Sequence, residues 1–521
     1  MSKVIVFDTE AREKLKEGVD LLARCVTTTL GPLGYNVALD DKFSTPNITH
    51  DGVTVAEKID TEDPFVNAGI KLIKNVALDT NDRVGDGTTT SIVIAQSIIK
   101  DGFEAIEEGS NPMRLRKGIE EAGKKVVAGL KEQSKPISTH EERLHVSNIS
   151  SQDENIGRIV VDAIEQVGDR GVVVIEEGNE FTHKIELKKG MQFDRGYASS
   201  FFQTSEDGCE IENPYVLVTD QRITSFAQLQ SLLQEFSQVD KNLVIIADSV
   251  EGDALANLIM YRQRGVFDLV AINAPYAGEK KRDFLQDMCV LSGATLLSLP
   301  THKLSSAKVE HLGKIKNIKT NSSSTVVTAL SDNTKLDEHI KYIEAKLKSV
   351  EGDYNKEVLK ERIAKLSGGI AFVKIGATSE SELKEKKERA IDAKSAVQAG
   401  IEEGIIAGGG VSLYKLSDLP TTFTGDEKKG FEILLKACKQ PFLKLIENAG
   451  LDILETINKA KTFKKDEGID VMDGKVKDLI KEGIIDPVKV TRTALENASS
   501  IASIILTTKV LVTDKLEKKD K

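Results

Sequence analysis

Residues 85–91 read Gly-Asp-Gly-Thr-Thr-Thr-Ser and combine the residue types most able to bind and activate a charged ligand. Glycine permits close backbone approach, and Ser and Thr favour the first turn of a helix, whose amides suit an anion. Asp86 would repel a phosphate unless a cation lay between them, so the motif predicts a metal-bridged nucleotide. The alternative is a glycine turn that caps an ordinary core helix.

Two more glycine turns precede this motif. Residues 29–34 read TLGPLG after an amphipathic helix predicted over residues 9–30, which Pro32 must end. Residues 48–53 read ITHDGV and precede another predicted helix start. Because turns from neighbouring helices can converge on one ligand, the three together favour a nucleotide site over unrelated caps.

A run at residues 118–125 nearly matches the phosphate-binding P-loop pattern. Lys125 stands where that pattern needs Ser or Thr to hold magnesium. The apolar residues around it keep a helical period with no preceding strand. We therefore expect a plain helix and reject an unrelated P-loop kinase or NTPase.

The composition limits the protein's class. With 521 residues, 40% hydrophobic and 29% charged, the chain should form more than one globular domain. A net charge of −11 argues against a general nucleic-acid binder. The four cysteines lie far apart without metal-ligand spacing, and no apolar run reaches about 20 residues. We expect a cytoplasmic protein that binds neither nucleic acid nor membrane.

Secondary-structure patterns change along the chain. Strand-like and helical runs alternate between about 210 and 300, which predicts an α/β module inserted in a largely helical protein. Long helices are predicted over 335–366 and 381–404, and the last hundred residues are predicted to be helical. Asp392 lies among small and apolar residues, as either a polar-face position or a functional carboxylate.

These motifs, in this order, closely resemble the group I chaperonins from about residue 4 to 513. The matches include 29–32, 49–53, 85–90, 190–197, 384–387, 402–410 and 486–492. The resemblance implies a multidomain α/β fold with a mainly helical equatorial domain, a small hinge-like intermediate domain and an inserted α/β apical domain. The implied boundaries are 1–132 with 403–521 for the equatorial domain, 133–188 with 371–402 for the intermediate domain, and 189–370 for the apical domain.

The resemblance also implies the cofactors ATP, Mg²⁺ and K⁺. Asp86 would hold Mg²⁺, Thr29 and Thr89 would contribute oxygens to K⁺, and Asp392 with Asp51 would be catalytic. The implied nucleotide-binding set is Thr29, Leu30, Gly31, Pro32, His50, Asp86, Gly87, Thr88, Thr89, Thr90, Gly409, Asp470, Val471, Met472 and Asp486. His50 replaces a usual lysine, which removes a permanent positive charge near the phosphates.

The implied substrate-binding surface is apolar and lies in the apical domain. Its residues, which could instead be core positions, are Tyr197, Phe201, Phe202, Leu233, Leu255, Ile259 and Met260. The partners would be non-native polypeptides, a small co-chaperonin, and copies of the chain in a seven-membered ring, possibly two stacked rings. The alternative function is a chaperonin-like ring that acts as a protein-binding scaffold with little ATP turnover.

The C-terminal tail departs from the family pattern, and the resemblance also implies hinges between the domains. The tail after Asp514 is charged, is expected to be disordered, and lacks the glycine-methionine repeats common in bacterial members. The proposed hinges contain Pro136, Gly190, Gly369 and Gly404, each of which could be an ordinary turn residue.

Overall fold

A computed structural model describes residues 3–40, 47–169, 171–178, 180–205, 208–330, 334–350 and 369–514, together with 356, 358, 359, 362, 363, 365 and 366. The chain divides into two compact units, Met1–Val161 with Ser379–Lys521, and Asp162–Thr378. The second unit contains the whole of the expected α/β module. The division into three domains stays a prediction.

The N-terminal part of the first unit is mainly helical. Its elements are β1 (Lys3–Phe7), α1 (Asp8–Thr27), β2 (Val37–Leu39), β3 (Asn47–Thr49), α2 (Gly52–Lys58), α3 (Pro64–Val84), α4 (Thr88–Glu107), α5 (Pro112–Gln133), α6 (His140–Ser151) and α7 (Glu154–Val167), the last of which crosses into the second unit.

The second unit mixes strands and helices. Its elements are β4 (Val172–Glu177), β5 (Lys184–Lys188), β6 (Gly190–Phe193), β7 (Cys209–Glu212), β8 (Tyr215–Val218), β9 (Arg222–Ile223), α8 (Gln230–Phe236), β10 (Asn242–Ala247), β11 (Ser249–Val250), α9 (Gly252–Gln263), β12 (Asp268–Asn273), α10 (Gly278–Ser292), β13 (Gly313–Lys314), β14 (Asn317–Thr320), β15 (Thr325–Thr328), α11 (Thr334–Ser349) and β16 (Ile370–Ile375).

The C-terminal part returns to the first unit. Its elements are α12 (Glu380–Glu403), β17 (Ile405–Ala407), α13 (Val411–Lys415), α14 (Gly425–Asn448), α15 (Ile453–Ala460), β18 (Glu467–Asp470), β19 (Lys475–Asp478), β20 (Ile485–Pro487), α16 (Val488–Leu506) and β21 (Val510–Asp514).

The two ends of the chain share one core in the first unit. Helix α14 packs on α5, and α16 packs on α4. Strand β1 pairs antiparallel with β21, with Lys3 opposite Asp514. In α1, Leu15, Val19, Leu22 and Val26 recur every three or four residues and are all fully buried, which confirms the predicted helical face.

In the described residues of the second unit, β9 and β11 pair in a two-stranded sheet, and the other strands form three larger sheets. Their strand orders are β12-β10-β8-β13, β6-β15-β14-β7 and β4-β16-β5. Strand β10 lies parallel to both β8 and β12, and α9 connects β11 to β12. The alternating pattern predicted from about 210 to 300 is therefore confirmed.

Two expectations about secondary structure need correction. The last hundred residues are not purely helical, because the hairpin β18–β19 and strand β20 precede α16. The helical stretch predicted over 335–366 is broken, because α11 ends at Ser349 and Val350 is not helical, whereas the residues described between 356 and 366 are again helical. Most of the segment after Val350, including Gly368, is outside the described residues. The charged tail from residue 515 onward also lies outside them. Within the described ranges, no helix is both long and apolar enough to cross a membrane.

The expected exposure of the apical set is wrong for Phe202 and Leu233. Phe202 is fully buried and Leu233 is 4% exposed, whereas Phe201 is 65% exposed. Phe201 and Phe202 belong to one short 3₁₀ turn, in which successive side chains point about 120° apart. Leu233 lies on the buried face of α8 together with Leu232 and Phe236. These two residues therefore belong to the core.

The neighbouring phenylalanines allow a direct test of this arrangement. We expect Phe202→Ala to lower the free energy of unfolding by about 3–5 kcal/mol, because it leaves a cavity in the core. Phe201→Ala should change it by less than about 0.5 kcal/mol, because that ring is mostly in water. Calorimetry of both variants checks this, and equal effects would contradict the burial of Phe202.

Candidate functional site

A polar cavity of about 170 Å³ lies within the first unit. Leu30 and Val53 are the only hydrophobic side chains among its lining residues, so it suits a charged ligand better than an apolar one. The lining residues are Thr29, Leu30, Gly31, His50, Asp51, Gly52, Val53, Asn81, Gly85, Asp86, Gly87, Thr88, Thr89, Thr90, Ser150, Gln152 and Asp392.

The first wall is the turn that follows α1. The Thr29 hydroxyl donates to the Val26 carbonyl at 2.8 Å, which keeps the buried side chain in place. The side-chain amide of Asn448, the last residue of α14, donates to the carbonyls of Thr27 at 3.0 Å and Leu30 at 2.9 Å. A residue more than 400 positions away therefore fixes this turn.

The second wall is the turn between α3 and α4. Gly85 and Gly87 have φ angles of 66° and 80°, in the left-handed region that glycine tolerates best. A Cβ on Gly85 would lie 2.4 Å from the Ser395 hydroxyl, and one on Gly87 would lie 2.7 Å from Val490. The turn thus needs glycine both for its conformation and for close approach to α12 and α16.

This turn confirms that the motif opens a core helix, and it is compatible with an anion site. Helix α4 begins at Thr88 and buries Ile92, Ile94 and Ile98 completely, so the turn does open a core helix. It also lines the cavity, together with Thr88, Thr89 and Thr90 of the first turn of α4. The start of a helix is a favourable place for an anion because its amides lack partners within the helix.

The side chain of Asp51 is held in place by hydrogen bonds from the first turn of α2. Its carboxylate accepts hydrogen bonds from the amides of Val53 at 3.2 Å and Thr54 at 2.8 Å, and from the Thr54 hydroxyl at 2.7 Å. It therefore caps the N-terminus of α2. The same geometry holds the carboxylate at the cavity wall.

Asp392 reaches the cavity from α12. Ala393 and Ala396, on the same helix, are buried, so Asp392 does not belong to an ordinary solvent-facing stripe. Burial, together with the negative charges of Asp86 and Asp51, raises the pKa of Asp392 well above its usual value. This favours the functional carboxylate over the polar-face alternative.

The cavity wall concentrates carboxylates, and the permanent positive charge that acts on Asp392 and His50 comes from Arg389, outside the lining. Burial and the neighbouring Asp51 raise the pKa of Asp86, although its carboxylate accepts a hydrogen bond from the Gly87 amide. Among the lining residues there is no Lys or Arg, and burial, followed by the charge of Arg389, lowers the pKa of His50. A phosphate would enter this site readily only together with a cation.

The oxygen ligands that the cavity offers are suited to Mg²⁺. Within the described residues, no group of three or more His, Cys, Asp and Glu side chains forms a ready metal site. Magnesium commonly uses one or two carboxylates and completes its octahedron with phosphate oxygens and water. Asp86 meets that requirement. Thr29 and Thr89 also line the same cavity, and their role at K⁺ stays a prediction.

The remaining predicted nucleotide-binding residues do not line the cavity; they are Pro32, Gly409, Asp470, Val471, Met472 and Asp486. Asp486 lies in β20, which pairs with β17 next to the glycine turn at 408–410. The negative charge of Asp86 contributes to its raised pKa, so the two carboxylates lie near one another. The Asp470 carboxylate accepts from Lys477 Nζ at 2.8 Å and from the Met472 amide at 2.9 Å. The roles of these residues at the base and ribose stay predictions.

The cavity also contains residues outside the predicted set. Gly52 and Gly85 belong to the recognised motifs, so their place in the wall follows from those turns. No periodicity or motif marks Asn81, Ser150 and Gln152, which reach the cavity through the packing of α3 and α6.

The apolar positions of the second unit form a smaller surface than expected. Phe201 is exposed, and Tyr197, Leu255, Ile259 and Met260 are half-buried. Helix α9, which carries Leu255, Ile259 and Met260, packs against the turn that carries Phe201. Their role in substrate binding stays a prediction.

Comparison with known proteins defines the class. A model of the TCP-1/cpn60 chaperonin family matches residues 22–515, and the chain belongs to this family. Its fold is similar to that of the chaperonin gp146 from the bacteriophage EL 2 (Pseudomonas aeruginosa), crystallised in the presence of ATP-BeFx. Crystal form II gives a TM-score of 0.75 at 23% identity and covers 98% of this chain and 100% of gp146. Crystal form I gives a TM-score of 0.67 at 22% identity and covers 98% of this chain and 99% of gp146. The predicted chaperonin fold is thereby confirmed.

The raised pKa of Asp486 gives a pH-dependent prediction. Burial and the charge of Asp86 raise this pKa from 3.8 to about 6. The charged carboxylate therefore costs stability above about pH 6, and the cost disappears as the pH falls towards about 4. We expect Asp486→Asn to raise the free energy of unfolding by about 1–3 kcal/mol near pH 7.5, in buffer without nucleotide or magnesium.

Unfolding measured from pH 4 to 8 tests this expectation. The gain of Asp486→Asn should shrink steadily below about pH 6. Asp470→Asn is the matched control, because it breaks the ion pair with Lys477 and should not stabilise the protein. A gain independent of pH would show that the Asp486 carboxylate is not the cause.

Proposed function

We propose that this chaperonin hydrolyses ATP with Mg²⁺ and K⁺ to drive the capture and encapsulation of non-native proteins. The observation that carries the proposal is the cavity at the start of α4, where Asp51, Asp86 and Asp392 meet without a lining Lys or Arg. Such a site is matched to a phosphate chain that arrives with its own cation. The presence of ATP-BeFx in the crystals of the gp146 relative supports nucleotide as the ligand.

Each wall of the cavity has a part in the proposed reaction. The amides and hydroxyls of residues 88–90 would bind phosphate oxygens, and Asp86 would hold Mg²⁺. Bound Mg²⁺ would neutralise charge on the phosphoryl oxygens. Asp392 would accept a hydrogen bond from the attacking water and orient it, with Asp51 beside it. Positioning and charge neutralisation supply most of the catalysis in phosphoryl transfer.

The wider proposal includes the family's assembly and cycle. The chain would form a seven-membered ring, possibly two stacked rings, and would be capped by a small co-chaperonin. The equatorial, intermediate and apical division would operate through hinges near Pro136, Gly190, Gly369 and Gly404. Gly369 and Gly404 have φ angles of 66° and 81°, which suit sharp turns.

A scaffold with little ATP turnover is the second candidate. It is supported by His50, which stands at the cavity in place of a permanently charged lysine. Burial and the charge of Arg389 lower the pKa of His50, so it is mainly neutral near pH 7. Slow hydrolysis would follow if phosphate binding needed that missing charge.

Substitution of Asp392 separates the two candidates. We expect the wild type to hydrolyse ATP measurably with Mg²⁺ and K⁺, and Asp392→Asn to lower the rate at least about 100-fold. Nucleotide should still bind, because the phosphate-binding turns and Asp86 are intact. Steady-state phosphate release and equilibrium binding measure the two effects.

Asp418→Asn provides the control for this experiment. Its side chain is 84% exposed, belongs to the same unit and is absent from the cavity wall. It should keep wild-type turnover. Equal rates for wild type and Asp392→Asn would refute the assigned role, and negligible wild-type turnover with retained client binding would favour the scaffold.

Client capture should depend on Phe201. We expect Phe201→Glu to weaken binding of a denatured protein by about tenfold, because burying a phenyl ring contributes about 1.5–3 kcal/mol. ATP turnover should persist. Suppression of aggregation measures capture, and Phe181→Glu is the control because Phe181 is 78% exposed elsewhere in the second unit. Equal losses in both variants would argue against a specific surface at Phe201.

A further inference from the structure

The last residue of α13, Lys415, binds a turn that lies about fifty positions later in the chain. Its Nζ donates hydrogen bonds to three backbone carbonyls. They belong to Lys464 at 2.6 Å, Lys465 at 2.8 Å and Glu467 at 2.8 Å. An ammonium group has three N–H donors, so this set matches its full capacity. We call these three oxygens the carbonyl cradle.

The surroundings of the carbonyl cradle favour a positive charge. The centroid of the Phe463 ring lies 5.8 Å from Nζ, within the range of a cation–π interaction. Burial lowers the pKa of Lys415, and the charges of Asp466 and Glu467 oppose that shift. The carbonyl dipoles, the ring and the two carboxylates therefore all act in favour of a cation, against the loss of its hydration.

The turn that forms the cradle connects two other segments of the first unit. Asp466 accepts from Lys135 Nζ at 2.9 Å, and Lys135 exchanges backbone hydrogen bonds of 2.9 and 2.7 Å with Ile405. Strand β18 begins at Glu467, within the same turn. The cation in the cradle therefore holds in place the start of β18 and the contact to the segment that precedes Pro136.

We propose that the carbonyl cradle is a binding site for a small monovalent cation, which the ammonium group of Lys415 fills as a tethered occupant. Backbone carbonyls replace the hydration shell of K⁺ in channel filters, and a lysine ammonium is a compact point charge that suits the same oxygens. None of the cradle residues lines the nucleotide cavity, so this inference does not rest on the proposed function.

The tether explains how three neutral ligands are sufficient. A free ion would exchange much of its hydration for only three carbonyls, so it would bind weakly. An ammonium group on the chain has a high effective concentration at the cradle. The site of the wild type is therefore filled without help from solution, and a free cation can enter only when the side chain is shortened.

Chemical rescue of a shortened side chain tests the proposal. Lys415→Ala removes three carbons and the ammonium group, which together correspond to propylammonium. Because three carbonyls lose a charged donor, we expect this variant to melt about 4 °C or more below the wild type. Propylammonium or K⁺ at about 200 mM should restore at least half of the difference, since a ligand that binds only the folded state stabilises it.

The measurement is thermal unfolding of the full chain without nucleotide or magnesium, with two control solutes. Propan-1-ol matches propylammonium in size but has no charge, and tetramethylammonium has the charge but no N–H donor. Neither should restore Lys415→Ala. The wild type should respond equally to all of the cations, because its cradle is already filled.

Three further variants complete the set. Lys415→Met fills the space without a charge, so it should lose stability and gain nothing from propylammonium. Lys415→Arg keeps a tethered cation and should melt within about 2 °C of the wild type. Lys439→Ala is the matched control, because Lys439 pairs with the Asp418 carboxylate at 3.1 Å and does not bind the cradle. It should show no cation-specific gain.

The outcomes decide the assignment. Recovery of Lys415→Ala with propylammonium, K⁺ or both supports the site and identifies its ligand. Unchanged melting of Lys415→Ala, recovery with neither cation, or equal recovery with tetramethylammonium would overturn it. If Lys415→Ala does not fold, the remaining pair decides, because equal losses in Lys415→Met and Lys415→Arg would contradict a role for the tethered charge.

Discussion

The burial of several carboxylates beside one another in the first unit is the constraint on which the rest of the site depends. Burial raises the pKa values of Asp86, Asp392 and Asp486, and a neighbouring negative charge raises each of them further. Groups that raise one another's pKa destabilise a folded chain unless a cation or a proton relieves them. The surrounding helices must therefore hold these carboxylates in place against their mutual repulsion and the cost of their burial.

The packing that holds these carboxylates in place comes from distant parts of the sequence. Asn448 holds the turn after α1, while α12 and α16 contact the glycines on either side of Asp86. Arg492 also binds Glu403 through two hydrogen bonds, at 2.9 and 2.6 Å, which attaches the end of α12 to α16. Two parallel bonds of this kind restrict orientation as well as distance.

The parts of the site that can be predicted from the sequence are those whose function requires a local pattern of residues. The glycine turns, the acidic residues beside them and the helix periods are visible because backbone conformation restricts the residue types allowed there. The cavity positions of Ser150 and Gln152 could not be predicted in this way, since they depend on how α6 packs. The burial of Phe202 and Leu233 was missed for a related reason: position along the chain does not say which side of a short turn or helix faces the core.

The pairing of the two chain ends has a consequence for biosynthesis. Residues 162–378 emerge from the ribosome as a complete unit, whereas the first 161 residues must wait for helices made more than 200 residues later. Until α14 and α16 exist, much of the apolar surface of α4 and α5 has no partner. The chaperonin thus passes through a stage in its own synthesis in which it resembles the unfolded proteins of its proposed clientele.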